Sequence, residues 1–389
     1  ARVNGVKHTK PLPITPFLEN CIREFIELVI PDEDAHTYSP VDYEYVRENQ
    51  ARPTQQRTLD EADLAGENYS TTVKAFMKAD TSGKYADPRN ISTICPRDKY
   101  EYSALYYSVS FFLKTNVWYT FGKKPIEIAK RVATICENAD DYVLLGDYSR
   151  MDGRVSNVGR ELTTRLMMRL FRPCYHERLE RLTASQINRF CVSTHGVKYF
   201  SDMTRLSGSP ETSGHNTLEN AFIAYLGFRM SKHPKSGEFY TPSEAYAKLC
   251  SGVEVGGDDG IMADLPAESY KKAAAALGHS VTLSIVKVGD SGVNFLSRYY
   301  GPNVWYGDPT SMCDLLRTLR KFHLTTDPNA DPVEKFKEKA LAVVFTDANT
   351  PIIGRYARGF LEAAEVKIPT SISRVSPDTS WWAASFDQT

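Results

Sequence analysis

Val253-Glu-Val-Gly-Gly-Asp-Asp-Gly-Ile-Met262 is the stretch on which the reading of this chain turns. Val253 and Val255 alternate with Glu254, the period of two expected of a strand. Ile261 and Met262 open a second apolar run. An Asp-Gly step between two such runs predicts a hairpin, because glycine tolerates the positive φ of a tight turn. Asp258 and Asp259 are then adjacent at its tip. Neighbouring carboxylates repel unless something positive lies close by. A divalent cation that prefers hard oxygen ligands, magnesium or manganese, suits the pair. The same residues also make an ordinary solvated turn in which Asp bonds its own backbone. What decides between these readings is whether the chain supplies further carboxylates upstream in a consistent order.

It does. Tyr142-Val-Leu-Leu-Gly-Asp147 reads as a buried strand ending on a carboxylate, and Tyr148-Ser-Arg-Met-Asp152-Gly leaves that strand. A helix is expected from about Ser156, a good N-cap, to Arg172, before Pro173. The Gly/Ser-rich loop Ser207-Gly-Ser-Pro-Glu-Thr212-Ser-Gly-His-Asn216 runs into a helix from Thr217 to about Met230. Such a loop is often only a connection, and Asn216 could serve simply as a helix N-cap. Here the hydroxyl and amide spacing could instead turn several polar groups into one cleft. Asp147 at a strand end, beside Asp258 and Asp259 at a hairpin tip, would bring three carboxylates together in one antiparallel sheet. Two metal ions held by such carboxylates can clamp the attacking and leaving oxygens of a phosphoryl transfer.

Elsewhere the pattern is coarser. Thr15–Ile30 is an amphipathic helix stopped by Pro31. Residues 84–97 read as extended chain, with Pro88 and Pro96 biasing their neighbours away from helix. Tyr100 to Phe112 turns aromatic and helical, and its rings are expected to pack rather than to stack on bases. After the hairpin come a helix at Ala267–Leu277 and strands near Val281–Val288 and Val293–Tyr300. Helices are expected at Leu315–Phe322, Pro332–Phe345 and Ile353–Ala364.

The composition is globular: 389 residues, 42% hydrophobic, 24% charged, net charge -1. Lys74 to Arg131 holds 11 Lys and Arg against 5 Asp and Glu, a local excess suited to phosphate although also compatible with a solvated face. The 7 cysteines are odd in number and never spaced CxxC, which argues for reduced thiols and against a disulfide framework. Cys174 and His176 lack a second pair at zinc-finger spacing. No apolar run approaches the roughly 20 residues of a bilayer span, and no signal peptide opens the chain, so any membrane anchor is expected outside it.

With these residues in order, the chain resembles the viral RNA-dependent RNA polymerases. Asp147-Tyr-Ser-Arg-Met-Asp152 is similar to their motif A, Ser207-Gly208-x3-Thr212-x3-Asn216 to motif B and Gly257-Asp258-Asp259 to motif C. The Met-Asp-Gly-Arg texture of motif A most resembles the replicases of nodaviruses and related positive-strand RNA viruses. The resemblance implies that Asp147, Asp258 and Asp259 bind magnesium, for which manganese can substitute. It implies that Asp152 reads the ribose 2′-hydroxyl with Ser207 or Thr212 and Asn216. Arg89, in Asp-Pro-Arg-Asn-Ile, is similar to the motif F arginine of the nucleotide tunnel, with Lys84 and Arg97 beside it. Lys287 takes the place of the motif D lysine that protonates pyrophosphate. Asn294–Arg298 resembles the motif E hairpin, although Ser297 stands where some relatives carry a basic residue.

The implied fold is an α+β right hand: residues 1–139 as N-terminal extension and fingers, 140–300 as palm with a fingers insertion at about 153–205, and 301–389 as thumb and tail. The implied activity is RNA-directed RNA synthesis from ribonucleoside triphosphates in replication of a viral genome. Its partners are template and product RNA, nucleotides and other copies of the chain. The implied location is the host cytoplasm, at membrane-associated replication complexes, on the mitochondrial outer membrane for a nodavirus-like replicase. The rivals are a reverse transcriptase or terminal nucleotidyltransferase, and a catalytically silent RNA-binding scaffold of the same shape.

Overall fold

A computed structural model describes residues 3–65, 70–80 and 88–368. In chain order its elements are α1 (Pro16–Val29), α2 (Tyr43–Asn49), α3 (Pro53–Leu64), β1 (Val73–Met77), β2 (Asn90–Thr93), α4 (Pro96–Lys114) and α5 (Pro125–Glu137). Then follow β3 (Tyr142–Tyr148), α6 (Met151–Arg154), α7 (Asn157–Leu170), α8 (His176–Ala184), β4 (Phe190–Ser193), β5 (Lys198–Phe200), α9 (Thr212–Arg229) and α10 (Pro242–Gly252). The rest are β6 (Val253–Gly256), β7 (Asp259–Ala263), α11 (Ala267–Ala276), β8 (Val281–Lys287), β9 (Val293–Phe295), β10 (Arg298–Tyr300), β11 (Ser311–Cys313), α12 (Leu315–Phe322), α13 (Pro332–Asp347) and α14 (Ile353–Ala363). The chain forms two compact units. The first comprises Ala1–Lys78, Asp87–Phe121 and Ala139–Ile285, and the second Ala79–Ala86, Gly122–Asn138 and Val286–Thr389.

The first unit is built round a four-stranded sheet in the order β6-β7-β3-β8. β3 is antiparallel to β7, and β7 to β6. Val143 and Leu144 of β3 are both buried because the strand lies inside the sheet with packing on both faces. Helix α9 is buried along almost its whole length, from Gly214 to Phe228. It contacts α10, α11 and β6. α1 follows its periodicity: Leu18, Cys21, Ile22, Phe25, Ile26 and Val29 are buried, and the Thr15 side chain accepts the Leu18 N–H. A second sheet has the order β2-β1-β4-β5. The aromatics of α4 pack as expected, with Tyr100, Tyr102, Tyr106 and Phe112 buried and Tyr107 and Phe111 against Tyr45.

Two boundaries differ from the sequence reading, and the strand expected near Val293–Tyr300 is instead the hairpin of β9 and β10. α4 starts at Pro96, inside the stretch read as extended, because Pro fits the first helical turn, where no N–H is needed, and the Cys95 side chain accepts the Asp98 N–H. α9 starts at Thr212 rather than Thr217, so Asn216 lies within the helix and is not its N-cap, a position held by Glu211. The Gly/Ser composition that suggested a loop reflects packing. A Cβ at Gly214 would overlap the Tyr106 hydroxyl.

In the second unit β9 and β10 form a hairpin whose two turn residues, Leu296 and Ser297, have φ of +49° and +63°. Positive φ at both positions is the geometry of a type I′ turn, which matches strand twist. β11 extends the sheet beside β10. Phe322, Ala340, Val343, Ile353, Ala357 and Leu361 form the core of its helices α12, α13 and α14.

Candidate active site

Asp147 and Asp259 are register partners on β3 and β7, so their Cα atoms lie about 5 Å apart. Asp258 precedes Asp259 in the β6–β7 turn. Gly257 opens that turn with φ +67°, the left-handed region that glycine enters without Cβ strain. Three carboxylates therefore share one end of one sheet, with Asp147 and Asp258 exposed. Hard oxygen donors of this kind fit magnesium or manganese. Among the described residues, no group of three or more His, Cys, Asp or Glu is arranged so that it could hold a metal ion.

The turn is held from behind by α9. The buried Gly257 N–H donates to Thr217 Oγ1 at 2.8 Å. The Asn220 Nδ2 donates to the carbonyls of Gly257 at 3.1 Å and Asp259 at 3.2 Å. Asn220 Oδ1 accepts from Tyr270 at 2.7 Å and Tyr148 at 3.3 Å. Burial pushes both phenols up, so they stay protonated donors. Sequence reading missed Thr217, Asn220, Tyr148 and Tyr270. The signal was available: Glu219 and Asn220 are polar residues in a run otherwise made of Leu218, Ala221, Phe222 and their like.

Asp152 reaches the same region by a sharp turn. Arg150, with φ +57°, leads from β3 into α6. Asp152 Oδ1 accepts from Asn216 Nδ2 at 2.7 Å. Burial raises the Asp152 pKa; the Asn216 bond and the charges of Arg205 and Arg89 oppose the rise, while Asp258 adds to it. Asn216 is almost fully buried, and its Oδ1 has no hydrogen-bond partner among the described residues.

The remaining expected residues lie elsewhere or are engaged. Ser207 Oγ donates to the Asn90 carbonyl at 2.9 Å and accepts the Ser92 N–H, tying its loop to β2. The neighbouring Gly208 sits so close to the Ser92 carbonyl that a Cβ would come within 2.8 Å. The Thr212 hydroxyl lies within 2.9 Å of the Leu206 carbonyl and 3.0 Å of the Ser209 carbonyl. Arg97 is in the first turn of α4, 3.5 Å from Glu101. Lys84 lies outside the described residues. Lys287 ends β8 in the second unit, where its N–H donates to Asp290. Arg298 of the motif E-like hairpin bonds Asp347 and Ser311.

Proteins of known name carry similar sequences. The chain is 30% identical over 370 residues to the RNA-directed RNA polymerase of Pariacoto virus, covering 93% of this chain and 36% of that protein. It is 31% identical over 350 residues to that of Greasy grouper nervous necrosis virus, covering 89% of this chain and 34% of that protein. Over about nine tenths of its length the chain is similar to these RNA-directed RNA polymerases of nodaviruses. It spans about a third of the length of these curated relatives. No protein-family model matches it. Among solved structures it is similar to the RNA-dependent RNA polymerase of a human picobirnavirus, with a TM-score of 0.69 at 12% identity, covering 93% of this chain and 70% of that one. The α+β fold of the viral RNA-dependent RNA polymerases, expected from the motifs, is the fold of this chain. Within that polymerase fold, the three motifs read from the sequence fall on β3–α6, on the loop entering α9 and its first turns, and on the β6–β7 hairpin.

Proposed function

We propose that this chain catalyses template-directed RNA synthesis, adding ribonucleoside triphosphates to an RNA 3′ end in replication of a viral genome. The observation that carries the reading is the pairing of Asp147 with Asp259, next to Asp258, at the end of the sheet from which β3 runs on to α6 and its Asn216-bonded Asp152. Asp147, Asp258 and Asp259 would hold magnesium or manganese, which when bound supplies charge to lower the pKa of the attacking hydroxyl and to neutralise pyrophosphate. The chain's own residues do the rest. Thr217 and Asn220 fix the turn bearing Asp258. Asp152 and Asn216, bonded to each other, are assigned to the ribose 2′-hydroxyl, and a site built to bond a hydroxyl discriminates against the sugar lacking it. Arg89 offers a guanidinium to the triphosphate. Ser207 and Thr212 shape the loop through their backbone bonds. We assign Lys287 to proton donation to pyrophosphate, and Lys84 and Arg97 to the nucleotide path.

The division into fingers, palm and thumb at the boundaries given above belongs to the same proposal, as do template and product RNA, nucleotides and further copies of the chain as partners. We place the activity in the host cytoplasm, at membrane-associated complexes and on the mitochondrial outer membrane. No helix among the described residues is long and apolar enough to cross a membrane. Membrane attachment through sequence outside this chain is part of the same proposal, as the resemblance implies.

The test is RNA synthesis on a short single-stranded RNA template with magnesium or manganese and labelled nucleotides, beside Asp258→Asn. Product from the wild type only is expected. Equal product from both would remove Asp258 from the mechanism. Equal use of ribo- and deoxyribonucleotides would favour the transferase rival. RNA binding without metal-dependent turnover in the full-length protein would favour the scaffold.

A further inference from the structure

The Arg205 side chain is fully buried, as are the carboxylates on either side of it. Its Nη2 is 2.5 Å from Glu219 Oε1, and its Nε is 3.9 Å from Glu211 Oε1. Its backbone N–H donates to the Asp152 carbonyl at 2.9 Å. Glu219 and Asn216 lie one helical turn apart on α9, and Asn216 bonds the Asp152 carboxylate. A closed ring of contacts results: Asp152 to Arg205 through backbone, Arg205 to Glu219 through charge, Glu219 to Asn216 through the helix, and Asn216 back to Asp152.

The ring is built in from several sides. His279 Nε2 lies 2.9 Å from Glu219 Oε2. Arg160 pairs with Glu211 at 2.7 Å and donates to the Met203 and Thr204 carbonyls, fixing the segment that delivers Arg205. A Cβ at Gly159 would come within 2.7 Å of Glu219 Oε2, so glycine is required where α7 passes. Burial disfavours the charge on Glu219, but Arg205 and His279 outweigh it and hold the carboxyl below its usual range. Buried ion pairs of this kind add little net stability compared with apolar packing, which makes a role in geometry the better account of them.

We propose that Arg205 is a positioning residue for sugar selection: it holds Asp152 and Asn216 in the geometry that accepts a ribose 2′-hydroxyl, without touching the nucleotide. This rests on the polymerase reading. Lys in its place keeps one charge but loses the rigid guanidinium that sets Nη2 on Glu219 Oε1 with Nε turned toward Glu211.

The experiment compares kcat/KM for a ribonucleotide and its 2′-deoxy analogue in single-nucleotide extension on an RNA primer–template. The proteins are wild type, Arg205→Lys, Glu219→Gln, Asp152→Ala and the Arg205→Lys/Asp152→Ala double variant. Circular dichroism and thermal unfolding show which are folded. Wild type favours the ribonucleotide. Arg205→Lys lowers that preference by about tenfold or more, the scale of losing one buried hydrogen-bonding arrangement. Glu219→Gln lowers it in the same direction, and serves alone if Arg205→Lys does not fold. On the Asp152→Ala background Arg205→Lys costs less preference than it does in the wild type, because one of the two groups it positions is already gone. A merely structural residue would lower both sugars alike, and that result overturns the proposal. Fully additive losses in the double variant overturn it too. A wild type that makes product without sugar preference, or makes none, fails the underlying reading before any variant is compared.

Discussion

Thr217→Val isolates the bond that anchors the catalytic turn. Valine keeps the branched shape and removes the hydroxyl that accepts the Gly257 N–H at 2.8 Å. Thr217 Oγ1 also donates to the Ser213 carbonyl at 2.7 Å, but that carbonyl still accepts the helical N–H four residues on. The loss therefore falls on one buried donor, the Gly257 N–H, which water cannot readily reach. Leaving such a donor unpaired costs about 1–3 kcal/mol. Taking about 2 kcal/mol and an m-value of about 2–3 kcal/mol/M, the urea midpoint should fall by roughly 0.7–1 M. If the same free energy is lost in seating Asp258 at the transition state, turnover falls by about 30-fold. Thr217→Ser keeps the acceptor and should lose much less in both assays. Urea unfolding and steady-state extension on an RNA primer–template read the two effects. A Thr217→Val protein with unchanged midpoint and turnover would refute the reasoning, as would Thr217→Ser proving equally damaged.

Further outcomes follow from other contacts. Asp152 has a pKa raised by burial, so it takes up a proton at a higher pH than an ordinary carboxylate of about 4; preference for ribonucleotides should weaken as pH falls while an Asp152→Ala protein shows no such limb. Asp347 is also buried, but Arg298 and the Cys313 N–H outweigh that and depress its pKa. Its stabilisation is present above the unfolded value near 4 and is lost as pH falls through the lower folded value. Asp347→Asn should cost about 2–3 kcal/mol in urea unfolding at neutral pH, with the difference from wild type shrinking in acid. Gly214→Ala should destabilise by about 1–3 kcal/mol or more, because the new methyl meets the buried Tyr106 hydroxyl; differential scanning calorimetry should show a lowered Tm, partly restored by Tyr106→Leu.

The site was legible wherever local pattern and chemistry coincide. Asp147 ends an apolar strand and Asp258 sits in a Gly-Asp turn, so alternation placed both before any tertiary contact was known. The start of α9 was not legible. Ser209, Pro210, Ser213 and Gly214 have loop character, and only the approach of Tyr106 explains a glycine inside that helix. Ser207 and Thr212 show the same limit, since their hydroxyls could face a cleft or the backbone, and the fold turns both to the backbone.

By itself the sequence determined the order of strands, turns and carboxylates, and through them the polymerase motifs, because periodicity and turn chemistry act between near neighbours. Only the tertiary structure decided which groups hold them. Asn220 bonds Gly257 across 37 residues, Asn216 meets Asp152 across 64, and Glu219 pairs with His279 across 60. A buried polar side chain must find a partner somewhere, but its identity depends on how helices and sheet pack, which no local pattern specifies.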